Sequence, residues 1–387
     1  MSLFTKTRIK AESLQGTGPA FDVVMLATVH PATDVRIFHR EAKTLAAAGL
    51  SVCILGPHPS AERLEGVWIE ALPRAANRLQ RLFLGWSVLR RARQLQAKLY
   101  IFHDPELFWV GVTLRLFGKK VVYDCHENLP MQVLQKAWIP WPARWAVVPV
   151  VWLIEWTGSR LLSGVVVARE AMMERFPRRK RVLVRNFPPE QMCRATGEGS
   201  PVHLRRNVVI YAGGLSRLRG IGELVRAFRH PDLAEGELWL VGDFSEQAFR
   251  DEILQSLPPN VRWLGRKDYP EVIELYKLAK LGAVLLHPTA SHKDSLPLKL
   301  FEYLAAGLPV IASNFPEWVE LLNGCGVQVN PFDVDQIRVA IRGLLSDAAR
   351  IKAMSAVARD RVLNSYCWEN EGRRLVQSCC ELIRCTR

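Results

Sequence analysis

The chain has 387 residues, 49% of them hydrophobic and 23% charged. That is too long for one ordinary hydrophobic core and suits two domains, while the composition excludes a disordered or fibrous protein. A formal net charge of +14 implies an anionic partner, and nucleic acid is the weakest choice because no recognition helix, zinc-finger spacing or RNA-binding aromatic motif accompanies the arginines.

The eight cysteines show neither metal-ligand spacing nor the density of a disulfide framework and read as reduced packing residues. No signal peptide opens the sequence, so the expected location is cytoplasmic, extending to the inner face of the plasma membrane. Strand-length apolar runs then alternate with helical patterns, as in repeated βαβ units on a parallel sheet. Runs at 21–28, 51–55, 99–103, 120–124 and 164–168 predict the strands of a first sheet. The loop after the first run carries Asp34 and Arg36. Either both face the ligand edge of the sheet, or Asp34 caps the next helix and Arg36 lies in solvent. His103 and Asp104 end the third run and His126 follows the fourth. Both sets therefore open at the carboxyl edge, where open α/β sheets bind ligands.

Trp138, Trp141, Trp145, Trp152 and Trp156 surround an apolar run at 146–154 that is too short to span a bilayer. It reads either as a core helix or as a monotopic surface whose tryptophans and nearby arginines seat it on anionic lipid. Residues 188–207, rich in Pro, Gly and polar side chains, read as the interdomain linker. A second set of strands is expected at 208–211, 237–241, 261–264, 283–286 and 309–312, and a last helix at 368–383. The domains are thus 1–190 and 191–365, with a C-terminal helix within 366–387 that can return to the first.

Two motifs in the second half carry the chemistry. The turn Tyr211-Ala212-Gly213-Gly214-Leu215-Ser216-Arg217-Leu218-Arg219-Gly220 stands where a strand ends and a helix begins. Further on, Asp294-Ser295-Leu296-Pro297 leads into a helix with Lys299 and Glu302, closed by Gly307. Ser295 is placed to cap that helix and Pro297 to sit in its first turn, leaving amides aimed at an anion such as a diphosphate. A carboxylate at Glu302 can accept two hydrogen bonds from a ribose diol.

These residues, with the run Glu302-Tyr303-Leu304-Ala305-Ala306-Gly307-Leu308-Pro309, resemble glycosyltransferase family 4. Its retaining members have the two-domain GT-B fold, two Rossmann-like doubly wound parallel-sheet domains facing a central cleft, and carry two glutamates separated by seven residues. Asp294 and Glu302 fall on those positions, the first one methylene shorter than the family's glutamate. The resemblance implies a donor site of Gly213, Gly214, Arg217, Arg219, Asp294, Ser295, Leu296, Pro297, Lys299 and Glu302, with Arg219 as the phosphate clamp. It places His103 near the reacting sugar, with Asp34, Arg36, Asp104 and His126 on the acceptor side. The implied reaction moves sugar from a UDP-, GDP- or dTDP-linked donor to a glycan or lipid-linked acceptor, with no cofactor and no metal. A nucleotide-sugar epimerase of the same architecture and a binding protein that has lost turnover remain as rival readings.

Overall fold

The computed structural model describes residues 21–126, 129–135, 140–197, 199–289, 292 and 296–384. They divide into two compact units: one runs to Asn186 and resumes at Glu369, and the other is Phe187–Trp368.

In the first unit, Phe21–Leu26 (β1), Val52–Pro57 (β2), Glu62–Leu64 (β3), Val67–Leu72 (β4), Ala97–Phe102 (β5), Lys120–Cys125 (β6), Gly164–Val167 (β7) and Arg181–Leu183 (β8) form one sheet in the order β3-β4-β2-β1-β5-β6-β7-β8. All pairings are parallel except that of the edge strand β3 with β4. Strands β1, β2, β5 and β6 are apolar almost throughout because helices cover both faces of the sheet. The order reverses between β1 and β5, which places a topological switch point at their carboxyl ends. The last helix, Trp368–Arg384, belongs to this unit from Glu369 onward. Its Glu371 carboxylate accepts from the Arg185 amide at 2.9 Å, and the Leu382 carbonyl accepts from Lys120 Nζ at 2.6 Å.

The second unit is built from Val208–Ala212 (β9), Glu237–Val241 (β10), Val261–Trp263 (β11), Leu281–Val284 (β12), Val310–Ser313 (β13) and Gly326–Val329 (β14). They lie in the order β11-β10-β9-β12-β13-β14, all parallel, with the reversal between β9 and β12.

Two sequence expectations change. The stretch 188–207 is not a bare linker. It contains the helix Glu190–Gly197, which buries Met192, Cys193 and Thr196 in the second unit, and the chain passes between units before it, at Asn186. The tryptophan segment is not a core helix either. Helix Trp141–Leu161 buries only Glu155, Gly158 and Ser159, and Trp138 lies outside the described residues. Among the described residues, no helix is long and apolar enough to cross a membrane.

Candidate functional site

In the first unit the candidate side chains gather at the carboxyl ends of β1, β5 and β6. Asp34 caps the helix that follows β1, its Oδ1 accepting from the amides of Arg36 at 2.8 Å and Ile37 at 3.1 Å. That helix starts with i→i+5 winding over Val35–Ala42, a wide turn that brings residues five apart onto one side. Arg36 and Glu41 therefore both point inward, and Arg36 is buried, not exposed to solvent.

Arg36 donates to Asp124 through Nε at 2.8 Å and Nη2 at 2.7 Å, a two-pronged pair that fixes both groups, and it also donates to the Val184 carbonyl. Asp124 Oδ2 accepts from His103 Nδ1 at 3.0 Å, and His126 Nδ1 approaches the same oxygen at 3.3 Å. Because a carboxylate only accepts, His103 carries its proton on Nδ1. Its Nε2 is then a buried lone pair with no hydrogen-bond partner among the described residues. Glu41 Oε1 lies 2.9 Å from Arg36 Nε, yet neither of its carboxyl oxygens has a hydrogen bond of good geometry among the described residues.

Charge balance explains this arrangement. Burial, then the charge of Asp124, holds the Glu41 carboxyl far above the usual carboxylate range, so it stays protonated. Burial pushes Asp124 the same way, but Arg36 and the histidine hydrogen bonds outweigh it and keep Asp124 ionised. Burial lowers the His103 pKa against the pull of Asp124, which favours a neutral imidazole. Asp124 and Glu41 were absent from the sequence-derived site. The only sequence signal for them was a carboxylate flanking each histidine strand end and an acidic residue within an otherwise apolar and basic helix face.

His103, Asp124 and His126 offer three ligand atoms within 4.8 Å of one another. The Arg36 guanidinium already occupies both oxygens of Asp124, so a metal there would face a permanent cation.

Asp104 has a different task. Its carboxylate accepts from the amides of Thr28 at 2.6 Å and Val29 at 2.9 Å and pairs with His30 Nδ1 at 2.6 Å, so it pins the loop after β1 to the end of β5. Burial raises its pKa, but the His30 and amide hydrogen bonds prevail and bring it to about 2. With the folded value below the ordinary 3.8, the carboxylate stabilises the fold above pH ~4, and this contribution fades as pH falls toward 2. In denaturant titrations at pH 5 and pH 3, the wild type should lose about 1 kcal/mol more stability than Asp104→Asn.

In the second unit the turn after β9 is held against β10 by the Gly213 amide on the Val241 carbonyl at 2.7 Å and the Leu215 amide on the Asp243 carbonyl at 2.8 Å. Gly213 has φ +147°, and a Cβ built there would fall onto the stem of Lys299. The ammonium of Lys299 thus rests against the glycine backbone. Gly213→Ala should displace it and strain the turn, lowering stability by roughly 1–2 kcal/mol and weakening nucleotide binding in calorimetry.

Arg219 reaches the same turn. Its Nη1 lies 3.4 Å from the Tyr211 hydroxyl, which donates to the Gly214 carbonyl at 3.0 Å. Arg217, expected beside it, turns away. Its guanidinium pairs with Glu252 and lies 4.6 Å over the Phe249 ring, because residues two apart in a three-residue-per-turn helix face different sides.

Helix Leu298–Ala305 starts after Pro297, which occupies the cap position with ψ 134° instead of the first turn. Its rigid extended backbone leaves Lys299 in the first turn. The Leu300 amide already bonds the Pro297 carbonyl at 3.0 Å, so the free amides are those of Leu298 and Lys299. Leu296 is exposed just before them, and Asp294 and Ser295 lie outside the described residues.

Glu302 is buried and accepts from the Tyr276 hydroxyl at 3.3 Å. Next to it, the Tyr303 hydroxyl accepts from the Ala212 amide at 2.8 Å, which locks the helix to the end of β9. Burial depresses the Lys299 pKa, Arg219 adds to the effect, and Glu302 opposes it. Two cations thus meet one carboxylate beside a glycine turn, at the switch point of the sheet. A bound diphosphate would relieve the strain that burial and Arg219 place on Lys299.

Comparison with known proteins fits this geometry. Residues 206–347 match the family described as glycosyl transferases group 1. A glycogen synthase from Mycobacterium tuberculosis is 28% identical over 175 residues, covering 42% of this chain and 39% of its own. A GDP-mannose-dependent monoacylated alpha-(1-6)-phosphatidylinositol monomannoside mannosyltransferase from Corynebacterium glutamicum is 30% identical over 146 residues, covering 36% and 38%. The chain therefore spans under two fifths of the length of these curated relatives.

Among solved structures, sucrose-phosphate synthase from Thermosynechococcus elongatus superposes with a TM-score of 0.72 at 20% identity, over 94% of this chain and 99% of that one. That likeness shows the fold: GT-B, two Rossmann-like domains. Residues 206–347, which carry the glycine turn, Arg219, Lys299 and Glu302, match the glycosyl transferases group 1 family.

Proposed function

We propose that the protein is a retaining glycosyltransferase that moves a hexosyl or related sugar from a nucleotide-sugar to a hydroxyl of a glycan or lipid-linked acceptor. The observation that carries this reading is the convergence of Arg219 and Lys299 on the Gly213–Gly214 turn beside buried Glu302. The cations neutralise the diphosphate, with the free amides at the head of helix Leu298–Ala305 assisting. Glu302 receives the ribose diol, and the family resemblance assigns Asp294 to the sugar. The curated relatives support the donor class, one of them being GDP-mannose-dependent and acting on a phosphatidylinositol mannoside.

In the chemical step the anomeric carbon–phosphate oxygen bond breaks as the acceptor oxygen attacks from the same face. The departing phosphate takes the acceptor proton, and Arg219 and Lys299 stabilise its growing charge. No metal or cofactor takes part. On the acceptor side, His103 offers its Nε2 lone pair, held by Asp124.

The test is incubation with UDP-, GDP- and dTDP-sugars, following nucleoside diphosphate release and the anomeric configuration of the product by NMR. Release from one donor with retained configuration supports the reading. An epimerised donor, or tight nucleotide binding without release or transfer, sinks it.

A further inference from the structure

The three helices Arg78–Leu95, Phe108–Leu116 and Trp141–Leu161 of the first unit lie side by side. Gly85 abuts Trp109, and Gly158 abuts Phe108 so closely that a Cβ at either would come within 2.7 Å of the ring. Their outward side is apolar. Trp141 is 69% exposed, Trp145 59%, Phe83 71% and Trp86 65%. Val150, Trp152, Leu153 and Ile154 of the same helix are exposed too, as are Leu116 and Phe117 at the neighbouring helix end. A soluble monomer rarely leaves so many large apolar side chains exposed on neighbouring helices.

The charge on this layer has one sign. The three helix sequences hold eight arginines and a single carboxylate, Glu155, which is buried against Arg175. Arg160 lies 3.6 Å over the Trp156 ring and Arg93 4.5 Å over Phe117, so guanidinium groups stand beside the exposed rings. Below them, Lys180 donates to the Arg160 carbonyl at 2.6 Å. Aromatic rings flanked by cations, on a helix of about 30 Å that lies on the fold instead of crossing a bilayer, match the headgroup region of an anionic membrane. A second copy of the chain is a poorer occupant, because a two-fold interface would set these arginines against their own kind.

We infer that this three-helix face docks the protein on anionic lipid. The inference deepens the proposed transfer to a lipid-linked acceptor and rests on it for its purpose, not for its test. In flotation assays the full chain should rise with vesicles of phosphatidylcholine containing one-third phosphatidylglycerol and stay below with phosphatidylcholine alone. Arg93→Glu/Arg160→Glu should cut partitioning at least about twentyfold, from roughly fivefold per basic residue removed. Trp145→Ala/Trp152→Ala should release the protein even at low salt.

A wild type that ignores anionic vesicles, or a tryptophan variant that floats unchanged, overturns the inference. So does a dimer that dissolves in the tryptophan variant while vesicles go unbound, which assigns the face to a second copy. Nucleotide thermal shifts on the same preparations keep the two readings apart. Binding nucleotide without floating sinks the docking face alone, and floating without binding nucleotide sinks the donor site alone.

Discussion

Glu302→Ala should lose nucleotide recognition while keeping its fold. In a thermal-shift screen against UDP, GDP, dTDP and ADP, the wild type gains stability with one nucleotide by mass action, and Glu302→Ala shows no shift at the same concentrations. Each hydrogen bond from a ribose hydroxyl to a carboxylate is worth roughly 1.5–3 kcal/mol, so loss of the pair weakens donor affinity by a hundredfold or more. The structure separates this effect from unfolding. The helix is tied to β9 by Tyr303 on the Ala212 amide, which the substitution leaves in place, while Glu302 itself accepts from the Tyr276 hydroxyl at 3.3 Å.

Lys299→Met complements the test. It removes the charge that balances the diphosphate but keeps the stem against Gly213, so it should lower kcat as well as affinity, since the leaving-group charge grows in the transition state. Unchanged nucleotide binding by Glu302→Ala would place the ribose elsewhere and sink the donor site as drawn.

The parallel strands of both sheets were legible because a strand covered on both faces reads as an unbroken apolar run, as in Val23–Leu26 or Val208–Ala212. The edge strand Val261–Trp263 read as well, but other outer strands did not. Val67–Leu72 is interrupted by half-exposed Trp68, Glu70 and Ala71, Gly326–Val329 by Gln328, and Glu62–Leu64 is polar. Of the residues expected at the donor site, Gly213, Gly214, Arg219, Lys299 and Glu302 come together because one glycine turn and one helix start bring them there, which is local information. Arg217 turns away because a two-residue separation in a three-residue turn puts it on a different side from Arg219. Asp124 and Glu41 were missed for another reason: whether a carboxylate points inward depends on the winding of its helix and on partners up to 148 residues away, such as Val184 for Arg36.

The buried group around Arg36 makes the second strong expectation. One cation faces two carboxyls, Asp124 and Glu41, and only one of them is ionised. Glu41→Gln replaces a neutral acid by a neutral amide of the same shape and should cost little. Asp124→Asn removes the charged member, but it also removes the repulsion that helped keep Glu41 protonated. Glu41, 2.9 Å from Arg36 Nε, then ionises and takes over as counterion. The double variant leaves Arg36 buried with no carboxylate in contact, a situation that costs about 3–5 kcal/mol.

Denaturant unfolding of the four proteins should therefore give a strongly non-additive cycle, the double variant falling several kcal/mol below the sum of the singles. Additive losses would mean that the two carboxyls do not share one charge. Activity adds a second readout. With the charge moved to Glu41, His103 Nδ1 has an acceptor at 3.9 Å instead of the Asp124 carboxylate at 3.0 Å. Asp124→Asn should then lower kcat far more than Glu41→Gln does, while the KM for the nucleotide-sugar, set in the other unit, stays unchanged in both.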